Sequence, residues 1–181
     1  MANKRYGNQI PIRIELLKPE NKHYTENFYC DNKVIDRYFR ITAPYDETAV
    51  TYLFIDIEED SPIACVTLAC SAIFTTEIAD QFSTLQSAME ILYFAVDENY
   101  KHIPYIKGSP LTLSHYILSY MLDQMREYSH TVVGASKVVL YSVPSAVHFY
   151  ERCDFKEFGD TMYGDKGYFV DECIPMYFDL N

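Results

Sequence analysis

Pro144-Ser-Ala-Val-His-Phe-Tyr-Glu-Arg-Cys-Asp-Phe155 holds a helix start, a helix stop and a strand start in one short run. Proline suits the first helical position, so a short helix is expected from Pro144 to about Arg152. Asp154 tolerates a left-handed turn better than most side chains, and residues 155–158 then read as a strand. Just upstream, residues 135–143 are β-branched and apolar and read as another strand. Further back, Ser109-Pro110 predicts an N-cap with proline behind it. Leu113, Tyr116, Ile117, Tyr120, Met121, Met125 and Tyr128 then form one apolar stripe, ending near residue 129. Residues 90–96, Glu-Ile-Leu-Tyr-Phe-Ala-Val, are a strand, joined to that helix by the irregular residues 97–108.

The N-terminal half supplies the rest of a sheet. Ile10, Ile12, Ile14 and Leu16 alternate onto one face of a first strand over residues 10–17. Asp31-Asn32 offers an N-cap, and Val34, Ile35, Tyr38, Phe39 and Thr42 follow helical spacing until Pro44 ends the helix after Ala43. Residues 50–57 and 63–73 read as a hairpin, and residues 173–180 as a closing strand, while residues 74–87 are polar and hard to place. The order is β-α-β-β-β-α-β-α-β-β, a mixed α/β sheet.

Composition narrows the function. The 181 residues carry 49% hydrophobic and 23% charged side chains, which fits a single globular domain over residues 1–181. No apolar run approaches the length of a membrane span, and the first residues lack the apolar stretch of a signal peptide, so a cytoplasmic location is expected. The 15 basic and 26 acidic residues give a net charge of -11. Eight of the basic residues, among them Arg37 and Arg40, lie in residues 1–40, leaving 7 against 21 acids over residues 41–181. That balance argues against a nucleic-acid partner on electrostatic grounds; an acidic surface serves solubility in the simpler reading and attracts a cationic substrate such as an amine in the sharper one. Five cysteines at irregular spacing and five histidines form no metal-ligand pattern, so reduced core thiols are expected, with Cys30 and Cys153 the sites for any reactive thiol.

Three motifs resemble the GNAT superfamily of acyl-CoA-dependent N-acyltransferases. Ala146-Val-His-Phe-Tyr-Glu-Arg-Cys-Asp-Phe155 is similar to its A-x-x-F-Y-E-x-x-G-F signature. Tyr93-Phe-Ala-Val-Asp97 is similar to the strand before its pyrophosphate loop. Phe28-Tyr-Cys-Asp-Asn-Lys-Val-Ile-Asp-Arg-Tyr-Phe-Arg40 is similar to the F-x-C-G-N-x-x-L-D-x-[FY]-[FL]-R opening of a branch that includes toxin acetyltransferases acting on aminoacyl-tRNA. The resemblance implies a mixed, mostly antiparallel central sheet flanked by helices, acetyl-CoA as acyl donor, an amine as acceptor, no metal, and room for a homodimer.

Two departures from the pattern matter. A gap-free count puts Lys101 at the basic position of the pyrophosphate loop, with Pro104 and Ile106 where glycines belong. Proline has no N–H and a β-branched residue resists a tight turn. The preferred register therefore slides to Lys107-Gly108-Ser109-Pro110-Leu111, with the pyrophosphate held at the helix N-terminus and Lys101, His102 and Lys107 adding charge. Val143 stands where the family often has asparagine, and Asp154 where it has glycine.

Acetyl transfer needs a neutral amine, a donor for the developing oxyanion and a proton for the departing thiolate. Deprotonating a lysine-like amine at pH 7 costs about 4–5 kcal/mol. The resemblance assigns the thiolate proton to Tyr150, and the oxyanion and pantetheine to backbone groups around Phe94, Ala95 and Val96. Glu90, six residues before Val96, is the candidate base through a water, in the place of the glutamate of some histone-acetylating members. A solvated strand-end glutamate is its simpler reading. His148, Arg37 and Arg40 read as surface residues and Cys30 as packing. The expected activity is N-acetyl transfer by direct attack. The alternatives are a silent GNAT-fold binding protein with an altered pyrophosphate loop, and a toxin-type aminoacyl-tRNA acetyltransferase.

Overall fold

The computed structural model describes residues 9–76, 83–159 and 172–180. Seven strands form one sheet in the order β1-β2-β3-β4-β5-β7-β6: β1 Ile12–Leu16, β2 Val50–Asp56, β3 Ser61–Thr76, β4 Ser83–Val96, β5 Lys137–Ser142, β6 Lys156–Glu157 and β7 Ile174–Asp179. Among the described residues four α-helices accompany them: α1 His23–Glu26, α2 Lys33–Arg37, α3 Leu113–Thr131 and α4 Val147–Glu151. The sheet is mostly antiparallel and flanked by helices. β1 pairs antiparallel with β2, and β7 with both β5 and β6, whereas β4 and β5 run parallel from Ala88 opposite Lys137 to Ile91 opposite Leu140. That register stops short of the end of β4 at Val96.

The chain divides into two compact units, residues 1–67 with 93–120 and residues 68–92 with 121–181. The core of the first gathers Leu17, Phe28, Cys30, Phe39, Leu53, Ile55, Cys65 and Ala95. The N-terminal motif shapes the entry to that core. Asn32 Oδ1 accepts from the N–H groups of Val34 and Ile35, capping α2 as its sequence predicts. The buried Asp36 carboxylate turns back to accept from Cys30 N–H at 2.8 Å. Asp31 stands at the motif's glycine position with φ 64, in the left-handed region. Past Arg37 the chain widens into a π-turn over Tyr38–Thr42, then tightens into a 3₁₀ turn at Ala43–Tyr45 that holds Pro44.

In the second unit Ile73, Ala88 and Val139 form an apolar cluster with Phe158 and Tyr177 against it. Lys137 and Lys156 both reach Asp179 across β5, β7 and β6, over the ring of Tyr177. Asp154 takes φ 65, so aspartate serves as the left-handed residue at the glycine position of both motifs.

Four expectations are corrected. Leu16 is 42% exposed and Leu17 is the buried residue, because β1 is an edge strand whose end turns as Leu17 N–H donates to Thr51 O. The strand expected at residues 90–96 begins at Ser83, so β4 takes in residues 83–87 of the unplaced polar stretch and β3 takes in 74–76, while 77–82 lie outside the described residues. Leu118 and Leu122 join the buried face of α3, which runs to Thr131, while Tyr116, Tyr120 and Tyr128 are half-buried. Finally, α3 begins at Leu113, not at Ser109-Pro110. Leu113 N–H donates to Ile103 O and Pro104 bridges Thr112, so residues 103–113 close on themselves before the helix starts. Ser109 Oγ accepts from Leu111 N–H at 3.1 Å, a local turn in place of a cap.

Candidate active site

Tyr150 sits near the end of α4, buried against Phe149 and Phe155 at ring separations of 5.1 and 5.6 Å. The N–H groups of Cys153 and Phe155 both donate to Tyr150 O, so the left-handed Asp154 folds the chain back under the ring. Val143, in the family's asparagine place, precedes a 3₁₀ turn and gives it no side-chain cap. Burial, and next the neighbouring Cys153 thiol, push the Tyr150 hydroxyl well above the ordinary tyrosine range. A tyrosine hydroxyl is protonated at neutral pH with or without this rise, and the rise makes it a weaker acid, so its candidacy rests on position.

Glu90 is half-buried on β4, opposite Val139 of β5. Burial raises its carboxyl above the usual range, and a hydrogen bond from Ser71 works against that rise. Its charge is felt by Tyr141, whose hydroxyl is raised first by burial and then by Glu90. A carboxylate with a raised pKa takes a proton more readily than a solvated one. Tyr150 and Glu90 both belong to the second unit.

The expected cofactor residues belong to the first unit. Phe94 is half-buried and Ala95 and Val96 are buried at the end of β4. The next residue, Asp97, is buried and organises the turn that follows. Its carboxylate accepts from Tyr29 N–H at 3.0 Å, from Asn99 N–H at 3.0 Å and from Asn99 Nδ2 at 2.8 Å. Glu98 N–H returns a bond to Tyr29 O, which ties the N-terminal motif to the end of β4. Sequence reading treated Asp97 only as the end of a strand; the asparagine two residues later is the signal it left unused.

Lys101 Nζ donates to Cys30 O at 3.0 Å and pairs with Glu98. His102 takes φ 63. Lys107 and Gly108 form the exposed tip of a turn closed by Ser109 N–H on Ile106 O at 2.9 Å, with Gly108 at φ 84. That φ favours glycine, and a Cβ there would meet open space. The N–H groups of Ser109 and Leu111 are bonded within the loop, so Lys107 and Gly108 are the parts of the expected register turned outward. Gln9 pairs with Ile106 alongside, its side chain hydrogen-bonds Tyr105, and the Tyr105 and Tyr116 rings stack at 3.7 Å. An exposed, glycine-containing, basic turn before α3 fits an anionic group.

The other residues singled out in the sequence sit as packing or surface. Burial pushes the Cys30 thiol up to about 12 and also raises the half-buried Cys153, which opposes thiolate chemistry at either. His148 is exposed beside Glu151. Arg37 and Arg40 are exposed, and Lys4 and Arg5 lie outside the described residues. Among the described residues no cluster of His, Cys, Asp or Glu could hold a metal ion, and no helix is long and apolar enough to cross a membrane.

A mixed sheet with parallel β4 and β5, α3 between them in the chain and the Tyr150 turn beyond make a GNAT-like α/β fold, shared with solved bacterial toxin structures. A solved tyrosine-to-phenylalanine mutant of the AtaT toxin is similar at a TM-score of 0.72 and 10% identity, over 98% of this chain and 96% of that one. A solved tyrosine-to-phenylalanine mutant of KacT matches at a TM-score of 0.71 and 10% identity, over 93% of this chain and 95% of that one. AtaT complexed with acetyl-methionyl-tRNAfMet matches at 0.70 and 12%, over 93% and 95%. Likeness at this identity shows the fold. No family model and no curated protein sequence matches the chain.

Proposed function

We propose that this chain is an N-acetyltransferase that moves an acetyl group from acetyl-CoA to an amine by direct attack, within one acetyltransferase domain. Tyr150 of the Phe149-Tyr150-Glu151 run, buried near the end of α4 beside the left-handed turn at Asp154, is the observation that carries the reading. Acetyl-CoA, when bound, supplies the activated acetyl thioester. Lys107 and Gly108 are assigned to its pyrophosphate, with Lys101 adding charge nearby in sequence, and Ser109 and Leu111 shape the turn from within. Backbone groups of Phe94, Ala95 and Val96 are assigned to the pantetheine and the carbonyl oxygen. Tyr150 gives its proton to the departing sulfur, and Glu90 takes one from the amine through a water. Solved complexes of AtaT with its antitoxin and acetyl-CoA, and of AtaTR with AcCoA, support the choice of donor.

A second reading makes the acceptor the amino group of an aminoacyl-tRNA. Two observations favour it: the N-terminal motif, and the structure of AtaT with acetyl-methionyl-tRNAfMet. The exposed Arg37 and Arg40 would face the RNA backbone, although the acidic balance of residues 41–181 weakens RNA affinity and makes it steeply salt-dependent. An assay of CoA thiol release from acetyl-CoA with a panel of primary amines, and separately with aminoacyl-tRNA, tests both. Release that requires a free amine acceptor is the expected result. Release with aminoacyl-tRNA alone, lost when Arg37 and Arg40 are reversed to glutamate, would replace the first reading by the second. No release with either would contradict both.

A further inference from the structure

We propose that Tyr38, Tyr93 and Asp46 form a binding site for a cationic group, a primary or substituted ammonium. Its assignment to the acceptor of acetyl transfer rests on the reading above; the binding itself does not.

The site lies within the first unit and begins with the π-turn. That wide turn sets Tyr38 against Tyr93 of β4, with ring centroids 4.2 Å apart and planes tilted by 33°. Both rings are half-buried, so each keeps surface toward solvent. The Tyr38 hydroxyl donates to Asp46 Oδ2 at 3.0 Å. The buried hydroxyls of Thr51 and Thr67 share a hydrogen bond of 2.8 Å, and both act to lower a Tyr38 hydroxyl that burial and Asp46 raise.

Asp46 gives the cluster its sign. Oδ1 accepts from Thr48 N–H at 2.9 Å and from Thr48 Oγ1 at 2.7 Å, and Ala49 N–H contributes as well. Burial alone would raise this carboxyl, but the bonds from Thr48, Tyr38 and Ala49 outweigh it and hold the group below its usual range. All those donors are neutral, so the negative charge is fixed in place without being neutralised. Among the described residues no lysine, arginine or histidine pairs with Asp46; the nearby Lys22 lies over the Tyr45 ring. Asp46 is thus kept ionised by neutral donors alone and its charge is open to a cation, to which the solvent-facing parts of the two rings add attraction by their quadrupoles. Anion plus aromatic pair recognises an ammonium and repels a carboxylate or phosphate. Tyr93 also directly precedes Phe94, the residue assigned to the reacting carbonyl, so an amine gathered here would stand close along the chain to the point of attack.

The test is tyrosine-selective NMR on the full chain without acetyl-CoA, with Tyr38 and Tyr93 ring signals assigned by phenylalanine variants. The probe is n-butylammonium chloride, and n-butanol is the neutral control. Saturable shifts of both rings with butylammonium, and none with butanol, are expected. Asp46→Asn, which keeps one acceptor oxygen for Thr48 and turns its amide NH2 to the Tyr38 oxygen, should weaken the apparent affinity tenfold or more. Tyr93→Leu, which leaves Asp46 and its hydrogen bonds intact, should do the same if Asp46→Asn fails to fold. Equal shifts with butanol, or unchanged affinity in a folded variant of either kind, would overturn the proposal. A chain that binds butylammonium but not acetyl-CoA would keep this site and remove the acetyltransferase reading; the converse would remove only this site.

Discussion

Tyr150→Phe is expected to lower the turnover number by roughly 10²-fold or more, the usual worth of general acid catalysis. The substitution deletes one hydroxyl and keeps the ring against Phe149 and Phe155, so the fold around α4 should hold. Apparent affinity for acetyl-CoA should move much less, because the lost interaction belongs mainly to the transition state. Glu90→Gln provides the contrast. Without a carboxylate to take the proton, activity should be low near neutrality and recover as rising pH deprotonates the amine unaided. Steady-state rates across pH, measured where chemistry is rate-limiting, separate the two. Normal turnover in Tyr150→Phe would make this tyrosine one more core aromatic.

The largest stability effect is expected at Asp97. Asp97→Ala removes the acceptor for Tyr29 N–H, Asn99 N–H and Asn99 Nδ2, and leaves donors in a partly buried turn. Such losses cost about 2–3 kcal/mol in sum. For a chain of this size that corresponds to a melting temperature lower by about 4–12 °C, read by circular dichroism. Asp97→Asn keeps one acceptor oxygen and should fall by less. An unchanged melting temperature in Asp97→Ala would mean that residues 28–30 are held to β4 by other contacts.

Both sites were legible to different depths in the chain itself. The run from Pro144 to Phe155 encodes its helix and its turn locally, in a proline and a left-handed aspartate, so Tyr150 falls where the sequence places it. Asn32 caps α2 for the same reason: a cap is a contact over two or three residues. Ser109-Pro110 misled because the same local chemistry serves two ends. A serine hydroxyl before proline can cap a helix or close a turn, and the choice is made by residues 103–104, which pair with 112–113. The early start of β4 was hidden for a related reason. Leu85 is exposed and its neighbours are polar, so pairing and not burial holds that half of the strand in place. Asp46, Tyr38 and Tyr93 come from a loop, a π-turn and a strand, and no spacing in the sequence announces that they meet.

The central claim is that the folded chain binds acetyl-CoA. A ligand that binds only the folded state stabilises it by RT ln(1 + [L]/Kd), about 2.7 kcal/mol at one hundred times Kd. At this chain length that is a rise in melting temperature of roughly 5–11 °C, well within the reach of differential scanning calorimetry. Acetyl-CoA titrated from micromolar to millimolar concentration should raise the melting temperature in a concentration-dependent way, and acetate should leave it in place. No shift at millimolar acetyl-CoA would contradict the account and leave a GNAT fold without its donor.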